Sequence, residues 1–181
     1  MLRTREPGGA PGAEAVRTLL LGHGPWDPVA EAMLHFAARR EHLARTIGPA
    51  LAAGVWVVCD RFADSTLAYQ GAGQGLDRAV WEGLCGLALD GVSPDLTLVL
   101  DLPPERGMER AMSRGDANRY ERQGAGFHAR VREAFLAIAA AEPGRCAVLD
   151  ATEAAGSVLA AALRHVAERL GGRPESERGA A

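Results

Sequence analysis

Apolar and polar positions follow two rhythms along this chain. Val55-Trp56-Val57-Val58-Cys59 is continuously apolar, and Leu96 to Leu102 is nearly so. Runs of this length between turn residues predict strands buried on both faces of a parallel sheet. Cys146 to Asp150 predicts a further strand, and Met1 to Arg5 the end of another. The intervening stretches have helical spacing: Ala13 to Leu21, a long helix from Val29, Asp77 to Leu89, Glu105 to Met112, Phe127 to Ala141 and Ser157 to Leu170. The long helix shows a stripe of Val29, Met33, Phe36, Arg40, Leu43 and Ile47, with Pro28 at its start and Gly48-Pro49 kinking or ending it. Ser65 is placed to cap a short helix after the first apolar run. Strands alternating with helices predict an α/β fold with a mainly parallel sheet, one domain over residues 1–170. Residues 113–126 are polar, arginine-rich and without hydrophobic period, which predicts a lid, and 171–181 read as a disordered tail.

Composition narrows this picture. With 181 residues and 48% hydrophobic content, the chain has enough material for a real core. A formal charge of -3 argues against general attraction to nucleic acid or membrane surfaces. No apolar run is long enough for a membrane span, and the N-terminus does not read as a secretory signal. Cys59, Cys85 and Cys146 lack metal-ligand spacing and read as reduced thiols of a cytoplasmic protein. Every basic residue is arginine, so no lysine serves in catalysis.

The candidate chemistry lies where the apolar run Val55–Cys59 gives way to Asp60-Arg61. Ligands of open α/β sheets bind beyond the carboxyl ends of the strands. An aspartate there can hold Mg²⁺ through water, and an arginine can neutralise a phosphate; an ion pair closing the strand reads the same two residues without function. Thr66, Tyr69 and Gln70 follow on the next helical turn. Phe36 and Arg40, spaced for one helix face, suit a planar heterocycle; a core ring beside a snorkelling arginine reads the same spacing without function. Arg110 just before the lid and Arg114, Arg119 and Arg122 on it suit either phosphoryl transfer or a solvated charge run. The glycines of Gly71-Ala72-Gly73-Gln74-Gly75 have the wrong spacing for a dinucleotide fingerprint, and no strand immediately precedes them.

Together, TREPGG (Thr4 to Gly9), FAARR (Phe36 to Arg40), DRFADSTLAYQGAGQGLD (Asp60 to Asp77), PDLTLVLDL (Pro94 to Leu102) and SRGDANRYE (Ser113 to Glu121) resemble bacterial thymidylate kinase over nearly the whole chain. The resemblance implies a P-loop-containing nucleoside triphosphate hydrolase-type three-layer fold and transfer of the ATP γ-phosphate to dTMP with Mg²⁺, in a cytoplasmic homodimer. It assigns base stacking to Phe36 and base hydrogen bonding to Arg40, and the dTMP phosphate to Arg61 and Arg17. Tyr69 would exclude a ribose 2′-hydroxyl, while Thr66 and Gln70 would contact base and sugar. Asp60 would lie near Mg²⁺, Glu6 at the transfer site, and Arg114 and Arg119 would be the lid arginines that meet ATP. One lid detail departs: Asn118-Arg119-Tyr120 stands where the family usually has Asp-Arg-Ile.

The larger departure concerns the donor site. The family carries a first strand and phosphate loop, G-x-x-x-x-G-K-[ST], ahead of TREPGG, and no such motif occurs in this sequence. That loop cradles the donor phosphates, and losing even one preorganised donor costs roughly 3 kcal/mol of transition-state stabilisation. The expectation is a sequence short at its N-terminus, through a misplaced start codon or a truncated gene, and inactive as it stands. The alternatives are a catalytically dead dTMP-binding paralogue and another P-loop nucleoside monophosphate kinase.

Overall fold

A computed structural model describes residues 1–115 and 118–171, without the Arg114 side chain. They form two compact units, Met1–Ser93 and the residues from Pro94 onward.

In the first unit, β1 (Leu2–Arg5) pairs in parallel with β2 (Val57–Asp60), Leu2 opposite Val57 and Arg5 opposite Asp60. The crossover between them contains α1 (Pro11–Gly22), α2 (Pro28–His42), a π-helical turn (Leu43–Ile47) and α3 (Gly48–Ala52). Pro11 and Pro28 open α1 and α2, where the missing N–H costs nothing. Asp27 caps α2 by accepting from the amides of Val29 and Ala30 at 2.9 and 3.1 Å, a device worth about 1 kcal/mol. Gly48-Pro49 marks a change of helical pitch, since the π turn of residues 43–47 leads directly into α3. After β2 come α4 (Ala63–Thr66), a π-helical segment (Leu67–Gly73) and α5 (Arg78–Leu89), which Asp77 caps through Ala79 N at 2.8 Å. Ala10, Ala13 and Ala38 form a small-residue core where α1 and α2 meet, with Val16 against it.

The second unit pairs β3 (Thr97–Asp101) in parallel with β4 (Cys146–Asp150). Its helices are α6 (Pro104–Arg114), α7 (Ala125–Ala141) and α8 (Ala155–Leu170). Val99, Ala139 and Cys146 form its core, with Phe135 and Ile138 packed alongside.

Parallel strands joined by helical crossovers match the predicted class. Four local expectations change, one of them the double-faced burial of the strand predicted at Leu96–Leu102, where Leu100 is 59% exposed. The strand predicted at Val55–Cys59 starts two residues later and is not buried on both faces: Val58 is 51% exposed. Among the described residues β1 is its one paired neighbour, so alternate side chains remain open. Ser65 lies inside α4, which starts at Ala63 without a side-chain cap. On α2 the predicted stripe is turned: Val29 and Met33 face outward, and the buried side carries Glu31, Ala32, Phe36, Ala38, Arg39 and His42. The buried polar groups there find partners across the unit, which outweighs the pull of two aliphatic side chains. The predicted tail beyond Gly171, like Asp116 and Ala117 of the predicted lid, lies outside the described residues.

Candidate active site at the strand ends

β1 and β2 finish side by side, and the Glu6 amide donates to the Asp60 carbonyl at 2.9 Å. The chain leaving β1 turns sharply at Pro7-Gly8-Gly9. Gly8 and Gly9 have φ of +135° and +82°, the region that favours glycine. A Cβ on Gly9 would run into the His42 ring and the Thr4 hydroxyl, so the turn must be bare to pass them. Arg17 of α1 anchors the same turn by donating from Nη1 to the Pro7 carbonyl at 2.8 Å.

This turn delivers Glu6 into the interior, where its carboxylate is shared. Oε2 accepts from Arg39 Nε at 2.6 Å, and Oε1 lies 3.2 Å from His42 Nδ1. Because a carboxylate only accepts, Nδ1 is the protonated nitrogen of that contact. His42 Nε2 in turn lies 2.7 Å from Thr4 Oγ1. Arg39 is 2% exposed, donates from Nη2 to Thr66 Oγ1 at 3.3 Å, and lies over Phe36 at 4.5 Å and Phe62 at 5.4 Å. Its Nη1 is buried with no hydrogen-bond partner among the described residues. An unpaired guanidinium nitrogen in such a place is costly unless a ligand acceptor satisfies it.

Beside this network, Glu31 is fully buried and accepts from Gln70 Nε2 at 2.7 Å and Gln74 Nε2 at 3.0 Å. Toward solvent, Arg61 donates from Nη2 to the Tyr69 hydroxyl at 3.1 Å and lies 4.8 Å over its ring. Arg61 has φ of 70°, unusual for a residue with a side chain and a mark of local backbone strain.

The expected residues are therefore distributed as follows. Glu6, Phe36 and Thr66 are brought together around Arg39. Arg61 and Tyr69 form a second pair, Gln70 joins Glu31, and Arg17 supports the turn. Arg40 is not in this cluster: it is half exposed, with Nη1 at 3.7 Å from Asp90 and 3.5 Å from the Ala88 carbonyl. Asp60 carries an exposed carboxylate at the end of β2. Arg39, His42, Thr4, Glu31 and Gln74 were not foreseen. A polar residue on the buried side of a helix is the signal that could have found Arg39, His42 and Glu31.

Glu6, His42 and Cys59 place ligand-type atoms within 4.8 Å of one another. They form a closed network and not a metal centre. Both Glu6 oxygens and both His42 nitrogens are engaged, and Cys59 Sγ donates to the Arg61 carbonyl at 3.1 Å. Burial, reinforced by the charges of Glu6 and Asp60, pushes the Cys59 thiol up to about 12, and a neutral thiol is a poor ligand.

The thymidylate kinase family model matches residues 1–161. The chain belongs to the thymidylate kinase family. A thymidylate kinase of Caulobacter vibrioides is 51% identical over 170 residues, covering 93% of this chain and 82% of that protein. One of Chromohalobacter salexigens is 51% identical over 174 residues, with 94% and 82% covered. A crystal structure of thymidylate kinase from Ehrlichia chaffeensis superposes with a TM-score of 0.74 at 34% identity, covering 91% of this chain and 80% of that one. The P-loop nucleoside monophosphate kinase class predicted for the fold follows from these likenesses.

The second unit holds the remaining expected residues. Arg119 donates from Nη2 to the Tyr120 hydroxyl at 2.8 Å and lies 4.4 Å over that ring. Asn118 Oδ1 accepts from the amides of Tyr120 and Glu121, which shapes the turn that presents Arg119. The Arg114 side chain lies outside the described residues. At the end of β3, Arg132 grips Asp101 with two hydrogen bonds of 2.7 and 2.8 Å and holds its carboxyl below the usual range.

Proposed function

We propose that this protein serves ATP-dependent dTMP phosphorylation, in which the γ-phosphoryl group passes to a phosphate oxygen of dTMP to give dTDP and ADP, and that residues 1–181, which contain no G-x-x-x-x-G-K-[ST] loop, supply its acceptor side. Residues 1–170 serve as one kinase domain, since a single family match runs through both units. The strand-end cluster of the first unit is the acceptor site. The observation that carries this reading is Arg39: a buried guanidinium with one unpaired nitrogen, beside the Phe36 ring and Thr66. A flat base with a carbonyl oxygen satisfies that nitrogen, and Phe36 offers it a ring to pack on. Arg39 takes the base-binding role first assigned to Arg40. Arg61 and Arg17 receive the phosphate, Tyr69 borders the sugar, and Thr66 and Gln70 face the nucleoside.

Mg²⁺ takes one or two carboxylates, with waters and substrate phosphates completing its shell. Exposed Asp60 fits that role, whereas Glu6 is committed to Arg39 and His42 and acts by positioning Arg39. Bound Mg²⁺ would neutralise charge on the transferring phosphoryl group. Arg119 and Arg114 are the lid arginines that meet ATP. A second copy of the chain covers the outward side of the first unit's helices, where Met33 and Leu87 are 56% and 82% exposed. No described helix is long and apolar enough to cross a membrane, and three free thiols suit a reducing cytoplasm.

Calorimetric titration with dTMP tests the acceptor site without requiring turnover. Wild type binds dTMP, and Arg61→Ala weakens binding by at least about tenfold, the scale of one charge-assisted contact. Equal affinity of the two proteins would remove Arg61 from the site, and tighter binding of dCMP than dTMP would favour another nucleoside monophosphate kinase.

A further inference from the structure

Glu31 is the least expected group near the acceptor site, a carboxylate with no exposed surface in the first turn of α2. A charge there must be repaid by hydrogen bonds. It receives two amide nitrogens on one oxygen, Gln70 Nε2 at 2.7 Å and Gln74 Nε2 at 3.0 Å. Both glutamines belong to the π-helical segment or its cap, so Glu31 ties that segment to α2. π-Helical turns concentrate at functional sites, and this one carries Tyr69 and Gln70 together.

The chemistry of the pair has a directional consequence. Gln70 donates from its amide nitrogen to Glu31 Oε1, which turns the amide's carbonyl oxygen away from Glu31. Arg39, bonded to Thr66 one turn before Gln70, offers the opposite chemistry through its unpaired Nη1, a donor. A donor from Arg39 and an acceptor from Gln70 that meet one base together complement an edge with a carbonyl oxygen next to an N–H. Thymine and uracil present that edge, whereas cytosine presents an amino donor next to a bare ring nitrogen. We infer that Glu31 is a specificity-positioning residue: by fixing the Gln70 amide it makes the pocket select 4-oxo pyrimidines over cytosine. This rests on the acceptor-site reading above.

The test is equilibrium binding of dTMP, dUMP and dCMP to wild type, Glu31→Gln and the double variant Glu31→Gln/Gln70→Glu. In Glu31→Gln the amide at position 31 can donate or accept, so Gln70 is released from its single orientation. The dTMP-over-dCMP ratio should fall by about tenfold or more, as expected when an enforced polar contact becomes optional. The dTMP-over-dUMP ratio should stay unchanged, because both bases share the edge that Gln70 reads. The double variant restores an obligatory acceptor facing the base, and its dTMP-over-dCMP ratio should return to within about threefold of wild type. A merely structural role would weaken all three nucleotides alike and leave the double variant unrescued, which overturns the inference. Should Glu31→Gln fail to fold by circular dichroism, the double variant decides alone: loss of its preference for dTMP over dCMP refutes the assignment. Absence of dTMP binding by wild type would instead sink the acceptor-site reading, and this inference with it.

Discussion

Arg39→Met and Arg40→Met separate two adjacent arginines that the sequence leaves equivalent. Arg39 is 2% exposed, and its partner Glu6 is also buried, with 2.6 Å between Nε and Oε2. Removing one member of such a pair strands the other charge and costs about 3–5 kcal/mol. Arg40 makes a 3.7 Å contact with Asp90, side chains 52% and 82% exposed, and pairs of that kind contribute between about 0 and 1 kcal/mol. Against a total of about 5–15 kcal/mol, the first loss is a large share and the second is negligible. For a chain of this size it corresponds to a fall in melting temperature of roughly 6–20 °C for Arg39→Met and at most a few degrees for Arg40→Met. Trp26, Trp56 and Trp81 all lie in the first unit, so intrinsic fluorescence during urea or thermal unfolding reports on the part in question. Calorimetry on the same samples should show dTMP binding abolished by Arg39→Met and reduced less than about threefold by Arg40→Met. Comparable losses from both substitutions, in either measurement, would refute the assignment of the buried arginine to the site.

Three further outcomes follow from the same structure. Gly9→Ala places a methyl group against His42 and Thr4 at a φ of +82°, and should cost about 1–3 kcal/mol of stability, read from the urea midpoint. Burial pushes Cys59 up to about 12 and Cys85 up to about 11, so the folded protein favours both neutral thiols. Their contribution to stability is complete below the unfolded thiol range and is lost as pH rises from about 8.5 toward those values. Alkylation at pH 8 should accordingly be slow in native protein and fast in urea, and rapid native labelling of Cys59 would contradict the assigned environment. Residues 1–181 alone, lacking a G-x-x-x-x-G-K-[ST] loop in their sequence, should form no dTDP from dTMP and ATP; turnover in a coupled assay would show that other groups serve the donor phosphates.

The periodic and punctuated parts of the chain were readable in advance. Cys146–Asp150 and the Asp77-capped helix occur where turn residues and apolar spacing place them. The orientation of α2 was not readable. Val29, Met33 and Phe36 suggest one buried side, but the true one follows Glu31, Phe36, Arg39 and His42. Helical spacing cannot decide between Arg39 and Arg40, since steps of three and four from Phe36 are both neighbours. What decides it is a partner from distant sequence: Glu6, delivered by the Pro7-Gly8-Gly9 turn. Glu6, Phe36, Arg61, Thr66, Tyr69 and Gln70 were named in advance, from the motifs that contain them. Those missed, His42 and Glu31 above all, act on other side chains, and the misjudged orientation of α2 hid their burial.

This has a consequence for how the site is held. Glu6 joins the turn after β1 to α2 through Arg39 and His42, and Arg39 joins α2 to α4 through Thr66. Glu31 joins α2 to the π-helical segment that carries Tyr69 and Gln70. α2 is thus fastened on its buried side by polar bonds at two levels, where a helix of this length would ordinarily rely on aliphatic packing. Buried polar networks tolerate few geometries, because each misplacement leaves a donor or acceptor unpaired. The bonds that fix the helix therefore also fix the direction of the Arg39 and Gln70 side chains. In this protein, substitutions that loosen α2 and substitutions that blur base selection should fall on the same few residues.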